Sequence, residues 1–219
     1  MTAEALTFAV ADARVSALYL APAKPEALYV FAHSAGAGMT HKSMSTVAEG
    51  LATRGVATLR YQFLYMERGS KRPDPPMLAH AAVRAAVAEA GMRAPNLPLF
   101  AGGRSFGGRM TSQAQALKPL PGVRGLVFLG FPLHPAGKPS DERAAHLSDV
   151  RIPMLFLQGD RDDLAALDLL NPVVTRLGKL ATLKVLKGAD HSFHVQAKSG
   201  RTDAEVRDEA LDAFLSWIA

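Results

Sequence analysis

The sequence contains no cysteine in its 219 residues. This absence excludes disulfide bonds, a thiol nucleophile and thiolate metal ligands. There is also no run of about 18 consecutive apolar residues, so we expect no membrane-spanning segment. The N-terminus lacks a basic region, and Glu4 and Asp12 interrupt its apolar residues, which is not the pattern of a signal peptide. We therefore expect a cytoplasmic protein.

Clustered positive charge is also scarce. The formal net charge is +5, but the basic residues are spread along the chain, and the only tight group is Arg68, Lys71 and Arg72. Without a basic helix or an aromatic-interleaved basic strand, we expect no nucleic-acid partner. The nucleotide-binding pattern G-x-x-x-x-G-K-[ST] is missing, so we expect no nucleotide cofactor. We also expect no metal site, because metal-ligand spacing is missing among His33, His41, His80, His134 and His146.

The composition is that of an ordinary globular protein. Apolar residues make up 48% of the chain and charged residues 21%. The length suits one domain, and no linker, internal repeat or low-complexity run divides the sequence. We predict a single domain over residues 1–219.

Short apolar runs alternate with helical stretches along the chain. Ala5–Val10 and Val15–Leu20 predict an antiparallel hairpin. Buried strands are predicted at 27–32, 56–61, 125–130, 152–159 and 181–186, with another short strand leading into the glycines of 102–108. Helices are predicted at 43–54, 77–91, 106–117, 141–147 and 164–177, and a capping box at Thr202–Glu205 opens a last one. Residues 62–76 have no regular pattern. The alternation predicts an α/β fold, a three-layer sandwich with a mostly parallel central sheet.

Residues 103–107 read Gly-Arg-Ser-Phe-Gly, the G-x-S-x-G pattern, between a predicted strand and a predicted helix. A serine in such a tight turn has a strained backbone, and the flanking glycines avoid clashes that a Cβ would make. The turn lifts the hydroxyl of Ser105 above the sheet, beside the N-terminus of the following helix. The pattern is typical of a nucleophile, although a glycine-rich turn without chemistry has the same sequence.

Carboxylate and imidazole side chains follow two later strands. Asp160, Asp162 and Asp163 come at or after the end of predicted strand 152–159, and His191 follows the last strand. A buried carboxylate at a strand end can hold an imidazole in one tautomer, and that imidazole can take the proton of a serine hydroxyl. Spacing alone leaves the choice among the acids open. His194 is a second candidate for the base.

With Ser105, the acid and His191 in this order, the chain resembles the α/β-hydrolase superfamily, and in particular its small, cap-less, dienelactone-hydrolase-like members. The resemblance covers nearly the whole chain. It implies that Ser105 is the nucleophile and His191 the general base. It also favours Asp162 as the acid, because in this family the acid follows the strand-ending glycine by three positions, and Asp160 is the alternative.

In that family two backbone N–H groups bind the oxyanion. The matching donors here are Phe106, directly after the nucleophile, and Ala35, in the loop after strand 27–32. This loop departs from the family pattern, because serine replaces the glycine that usually follows the histidine. The candidate substrate-pocket residues are His33, Ser34, Phe63, Tyr65 and Arg104. Arg104 and Arg109 lie on either side of Ser105, the serine of the elbow, which is the turn of residues 103–107. Each arginine could bind an anionic substrate or form an ion pair within the protein.

The resemblance implies a serine hydrolase that cleaves a small carboxylic ester, thioester or related acyl bond through an acyl-enzyme. Only about twenty residues separate Gly130 from Ile152, too few for the lid of many relatives, so we expect an open site that accepts a small-molecule ester. Strict dienelactone chemistry is less expected, since its nucleophile is a cysteine. An acyltransferase with the same triad and a non-catalytic binding or scaffold protein are the alternatives. The sequence leaves the oligomeric state open.

Overall fold

The computed structural model describes residues 1–219 and contains one eight-stranded sheet. The strands are β1 (Glu4–Val10), β2 (Ala13–Leu20), β3 (Ala27–Ala32), β4 (Val56–Tyr61), β5 (Leu99–Arg104), β6 (Val123–Leu129), β7 (Met154–Gly159) and β8 (Ala181–Leu186). Their order in the sheet is β1-β2-β4-β3-β5-β6-β7-β8. β2 pairs antiparallel with β1 and β4, and all pairings from β4 to β8 are parallel. The mostly parallel sheet is thus confirmed.

Helices cover both faces of this sheet. They are α1 (Lys42–Ala52), α2 (Leu64–Glu67), α3 (Pro76–Arg93), α4 (Phe106–Leu117), α5 (Leu167–Leu177) and α6 (Asp203–Ile218). One hydrophobic cluster joins the sheet to α1 and α6, and a larger one joins its other face to α3, α4 and α5. The protein therefore has the three layers predicted from its sequence.

The central strands are buried on both faces, as their apolar sequences require. Every residue of β3, β4, β5 and β7 is buried. The last helix buries Val206, Ala210 and Phe214 on one stripe, and the predicted capping box of Thr202 and Glu205 opens it. Since β5, β7 and β8 are parallel, the residues that follow them meet at one edge of the sheet.

One predicted loop contains a helix. Residues 62–76 were expected to be irregular, and that prediction is wrong for Leu64–Glu67, which form α2. The short helix is anchored by burial of Tyr65 and by the backbone N–H of Tyr65, which donates to the carboxylate of Asp74 at 2.9 Å. Such an anchor depends on a tertiary hydrogen bond, which local sequence patterns do not reveal.

Two other helices differ from their predicted form. α5 begins at Leu167 rather than at residue 164, because the chain first makes a turn in which Asp162 accepts hydrogen bonds from the backbone of Leu164 and Ala165. The short helix expected over 141–147 is a 3₁₀ helix over Glu142–Asp149. This 3₁₀ helix lies in the connection from β6 to β7, which forms no separate lid domain. None of the helices is long and apolar enough to cross a membrane.

Candidate active site

Ser105 lies in the turn between β5 and α4 with a strained backbone. Its φ of 50° and ψ of −116° are sparsely populated by residues other than glycine. The turn presses against the end of β3, where a Cβ on either Gly103 or Gly107 would lie 2.5 Å from the carbonyl oxygen of Ala32. The G-x-S-x-G glycines are therefore required by close backbone contact, as the sequence predicted.

The side chains of Ser105, His191 and Asp162 form one hydrogen-bonded chain. The Ser105 Oγ is 2.8 Å from the Nε2 of His191, and the Nδ1 of His191 is 2.7 Å from the Oδ2 of Asp162. The Asp162 carboxylate is fully buried, whereas the His191 side chain is 19% exposed. An imidazole that donates from Nδ1 to a carboxylate presents the Nε2 lone pair to the serine hydroxyl, as a general base must.

Two further groups hold the Asp162 carboxylate. The backbone N–H of Leu164 donates to Oδ1 at 2.8 Å, and the side-chain amide of Gln158 donates to Oδ2. Gln158 is itself buried, and its Oε1 accepts from the backbone N–H of Phe131 at 2.8 Å, so its amide orientation is fixed. Gln158 belongs to no recognisable sequence motif. The only signal it offers in the sequence is a polar residue inside an apolar strand.

The alternative acids and base lie elsewhere. Asp160 is exposed and accepts from the backbone N–H of Gly188 at 2.7 Å. Asp163 is exposed as well. The exposed His194 has its Nδ1 3.0 Å from the carboxylate of Asp203, which raises the pKa of His194 chiefly through that hydrogen bond. Of the candidates weighed, the structure brings only Asp162 and His191 to Ser105.

The loop that carries His191 is fixed by its neighbours. The Oδ1 of Asp190 accepts the backbone N–H groups of Ser192 at 2.7 Å and His194 at 3.0 Å. The buried guanidinium of Arg104 donates to the carbonyl oxygen of Ser192 at 2.6 Å. Arg104, predicted as a substrate-pocket residue, lies outside the lining of the cavity over Ser105. Its side chain is directed towards the loop of His191 and stabilises that loop through the hydrogen bond to Ser192.

A cavity of about 350 Å³ opens over the serine. Both predicted oxyanion donors, Phe106 and Ala35, lie in its wall beside Ser105. As the first residue of α4, Phe106 has a backbone N–H without an intrahelical acceptor, so this group is free to bind an oxyanion. The other lining residues are Pro73, Asp74, Pro76, Arg109, Met110, Pro132, Arg143 and Leu164.

The remaining predicted pocket residues do not line this cavity. Phe63 and Tyr65 are buried and pack against the ring of Phe106, with centroids 5.3 and 6.4 Å away, so they form the layer beneath the wall. The phenolic oxygen of Tyr65 accepts the backbone N–H of Gly36 at 3.1 Å, which anchors the loop of Ala35. Ser34 is partly buried and lies outside the lining. Phe63 and Tyr65 thus pack the core after a buried strand, and contact of the three residues with a substrate stays a prediction.

His33 is also buried, and it serves the same loop. Its Nδ1 is 2.8 Å from the carbonyl oxygen of Ser34, and its Nε2 accepts the backbone N–H of Phe63 at 3.1 Å. These two partners require one proton on Nδ1 and a lone pair on Nε2, so the ring is neutral. Burial lowers the pKa of His33 to about 4. The neutral ring therefore ties the loop before Ala35 to the segment after β4.

No group of three or more histidine and acidic side chains in residues 1–219 could hold a metal ion. The fold and the hydrogen-bonded chain of Ser105, His191 and Asp162 are those of an α/β hydrolase. A family model described as "Alpha/beta hydrolase domain" matches residues 25–219. The chain belongs to this family.

Solved structures agree on the fold. The chain is similar to an alpha-beta serine hydrolase homologue from Coxiella burnetii, with a TM-score of 0.79, 21% identity, and coverage of 97% of this chain and 98% of that one. It is similar to a serine hydrolase without lid from Xanthomonas campestris, with a TM-score of 0.78, 21% identity and coverage of 99% and 95%. A dienelactone hydrolase from Anabaena variabilis gives a TM-score of 0.78, 21% identity and coverage of 98% and 97%. These likenesses show the cap-less fold.

Proposed function

We propose that this protein is a serine hydrolase that cleaves small carboxylic esters, thioesters or related acyl bonds. One observation carries the proposal: the Ser105 hydroxyl lies 2.8 Å from an imidazole that a buried carboxylate orients. Membership of the α/β-hydrolase family supports a hydrolase activity of this kind. The cytoplasmic location and the absence of a nucleic-acid partner stay predictions.

The proposed reaction has two halves. In the first, Ser105 attacks the carbonyl carbon while His191 takes the hydroxyl proton, and the imidazolium then returns that proton to the leaving alcohol or thiol. The acyl group remains on the serine oxygen. In the second, His191 takes a proton from water, the resulting hydroxide attacks the acyl-enzyme, and the carboxylic acid leaves as Ser105 regains its proton. Asp162 keeps the imidazole in place and stabilises its charged form.

Negative charge develops on the carbonyl oxygen in both halves. The N–H of Phe106 at the start of α4 is positioned to bind that oxygen, with the N–H of Ala35 as the proposed second donor. Removing one donor of this kind costs about 10²- to 10³-fold in kcat. The anchoring of the Ala35 loop by Tyr65 and His33 supports this assignment, because an oxyanion site depends on fixed donors.

The size of the site favours small substrates. The cavity over Ser105 has a volume of about 350 Å³, and the β6–β7 connection provides no lid to enclose a long acyl chain. We expect activity in a series of aryl esters to peak at short acyl chains. Activity that rises steadily beyond about eight carbons would contradict this substrate class.

Labelling by a fluorophosphonate tests the proposed function. We expect the folded wild-type protein to be labelled and Ser105→Ala to remain unlabelled. The matched control is Ser216→Ala, which changes an exposed serine of α6 on the far side of the molecule and should label like the wild type. Absence of labelling in folded wild-type protein would favour the non-catalytic scaffold. A separate assay distinguishes the hydrolase from an acyltransferase, because a hydrolase cleaves an ester in water without an added alcohol or amine as acyl acceptor.

A further inference from the structure

Two arginines lie in the wall of the cavity over the candidate nucleophile. Arg109 is one helical turn after Ser105 on α4, and its guanidinium lies 5.9 Å from the ring centroid of Phe106. Arg143 belongs to the 3₁₀ helix of the β6–β7 connection, which packs against α4. Both are partly buried and line the same cavity as Ser105.

Neither guanidinium has an anionic partner within the protein. No carboxylate lies within ion-pair distance of Arg109 or Arg143, and no side-chain hydrogen bond from either guanidinium is made. The Nε of Arg109 is completely buried and has no acceptor. Most arginines that are half-buried in proteins satisfy these donors, because an unpaired buried donor costs about 1–3 kcal/mol.

The surroundings of the pair do not supply the missing negative charge. The one acid in the cavity wall, Asp74, already accepts from Arg68 at 2.6 Å and from the backbone of Tyr65 at 2.9 Å. Burial and the neighbouring Arg143 lower the pKa of Arg109. Burial, and then Arg109 itself, lower the pKa of His146 to about 4. The cavity therefore places two like charges together without compensation, which is unfavourable until an anion binds.

We propose that Arg109 and Arg143 form a binding subsite for a carboxylate of the substrate, so that the enzyme prefers esters with a free carboxylate over neutral esters. The proposal rests on the proposed hydrolase function and adds to it the charge of the substrate. A carboxylate would supply acceptors for N–H groups of both guanidiniums that line the cavity. Arg109 lies one helical turn after Ser105 and lines the same cavity, so the subsite shares its cavity with the reacting carbonyl group.

A pair of matched esters tests the subsite. The first is the p-nitrophenyl monoester of adipic acid, and the second is its neutral isostere, in which a methyl ketone replaces the free carboxylate. Since hydrogen bonds to charged groups correspond to roughly 10- to 100-fold in binding, we expect kcat/KM of the wild type to favour the charged ester by at least about tenfold. Arg109→Gln and Arg143→Gln should each lower the ratio of the two kcat/KM values by about tenfold.

The ratio separates a lost subsite from a damaged fold, because general damage lowers both kcat/KM values together. The matched control is Arg151→Gln, which removes one exposed, unpaired positive charge before β7, at the opposite end of the strands, and should keep the wild-type ratio. Equal hydrolysis of the two esters by the wild type, or an unchanged ratio in both arginine variants, would overturn the subsite.

The failure of the subsite and that of the hydrolase are distinguishable. If the wild type is labelled by the fluorophosphonate but does not discriminate between the esters, the subsite is wrong and the hydrolase stands. If the wild type neither labels nor hydrolyses, the hydrolase is wrong, and calorimetry with Ser105→Ala and the two esters decides the subsite. The subsite is supported if Ser105→Ala binds the charged ester more tightly than the neutral one and if adding Arg109→Gln removes that difference. Equal affinity for the two esters, or no binding of either, overturns the subsite.

Discussion

The carboxylate of Asp162 and the imidazole of His191 lie 29 positions apart in the chain and 2.7 Å apart in the fold. Each follows a strand of the parallel sheet, β7 and β8 respectively. The turn after β7 buries the carboxylate completely, and the imidazole covers it. Because the carboxylate can only accept, it requires the proton on Nδ1 and leaves Nε2 free for Ser105.

Asp162→Asn should abolish most activity with the fold retained. The amide cannot hold the imidazole in the required tautomer, and such a change lowers kcat by roughly 10³- to 10⁴-fold in a serine triad. The control is Asp160→Asn, whose side-chain oxygen can still accept from Gly188 and should leave kcat within a few-fold. Ester hydrolysis with circular dichroism as a check of folding measures both. A larger loss from Asp160→Asn would identify Asp160 as the acid.

Gln158→Leu should lower both kcat and stability. It removes a hydrogen bond to Asp162 and leaves the buried N–H of Phe131 without its acceptor, which costs about 1–3 kcal/mol of unfolding free energy. We expect kcat to fall about tenfold as Asp162 loses a donor. Urea unfolding and steady-state kinetics measure the two effects.

Gln115→Leu is the matched control for that variant. Gln115 is also buried, and its Oε1 accepts the backbone N–H of Leu120 at 2.8 Å, but it lies at the far end of α4. We expect a similar loss of stability with little change in kcat. If both glutamine variants lower kcat equally, Gln158 has no special role in positioning Asp162.

The neutral His33 should make stability depend on pH. Its pKa is about 4 in the fold because of burial and close to the ordinary 6.5 when unfolded, so between these values the unfolded chain binds more protons. The free energy of unfolding therefore falls as the pH drops from about 6.5 towards 4, by at most about 3 kcal/mol from this group. His146, with a similarly lowered pKa, adds to the fall.

His33→Gln separates the two contributions. Glutamine cannot be protonated, and its side-chain oxygen can still accept the N–H of Phe63. Urea unfolding at about pH 7 and about pH 5 should show a smaller loss of stability in the variant than in the wild type, by about 2 kcal/mol. An equal loss in both proteins would show that His33 is not held neutral by the fold.

Two glycine variants should have opposite effects. Gly107→Ala should lower the free energy of unfolding by about 1–3 kcal/mol or more, since its Cβ would lie 2.5 Å from the Ala32 carbonyl oxygen. Gly91→Ala, in α3 with open space around it, should raise that free energy by about 0.5–1 kcal/mol. Thermal unfolding of the two variants measures the contrast. Stabilisation by Gly107→Ala would contradict the tight packing of the elbow.

The sequence predicted what depends on local patterns. The apolar runs of the strands and the glycines around Ser105 indicated the parallel sheet and the elbow, because their periodicity and spacing follow from local geometry. Helix α2 is anchored on Asp74, in an irregular part of the same loop, and the amide of Gln158 bonds Phe131 on another segment, so strand and helix periodicity revealed neither. The same limit applies to Phe63 and Tyr65, because their burial is decided by packing and not by their position after a strand.

The central claim is that catalysis passes through an acyl group on Ser105, and mass spectrometry of trapped enzyme tests it most directly. The wild type is mixed with p-nitrophenyl acetate, quenched in acid during turnover and digested. We predict an acetyl group on the peptide that contains Ser105 and no acetylated peptide in Ser105→Ala. Turnover of the ester with the peptide unmodified, or with the acetyl group on another residue, would contradict the account.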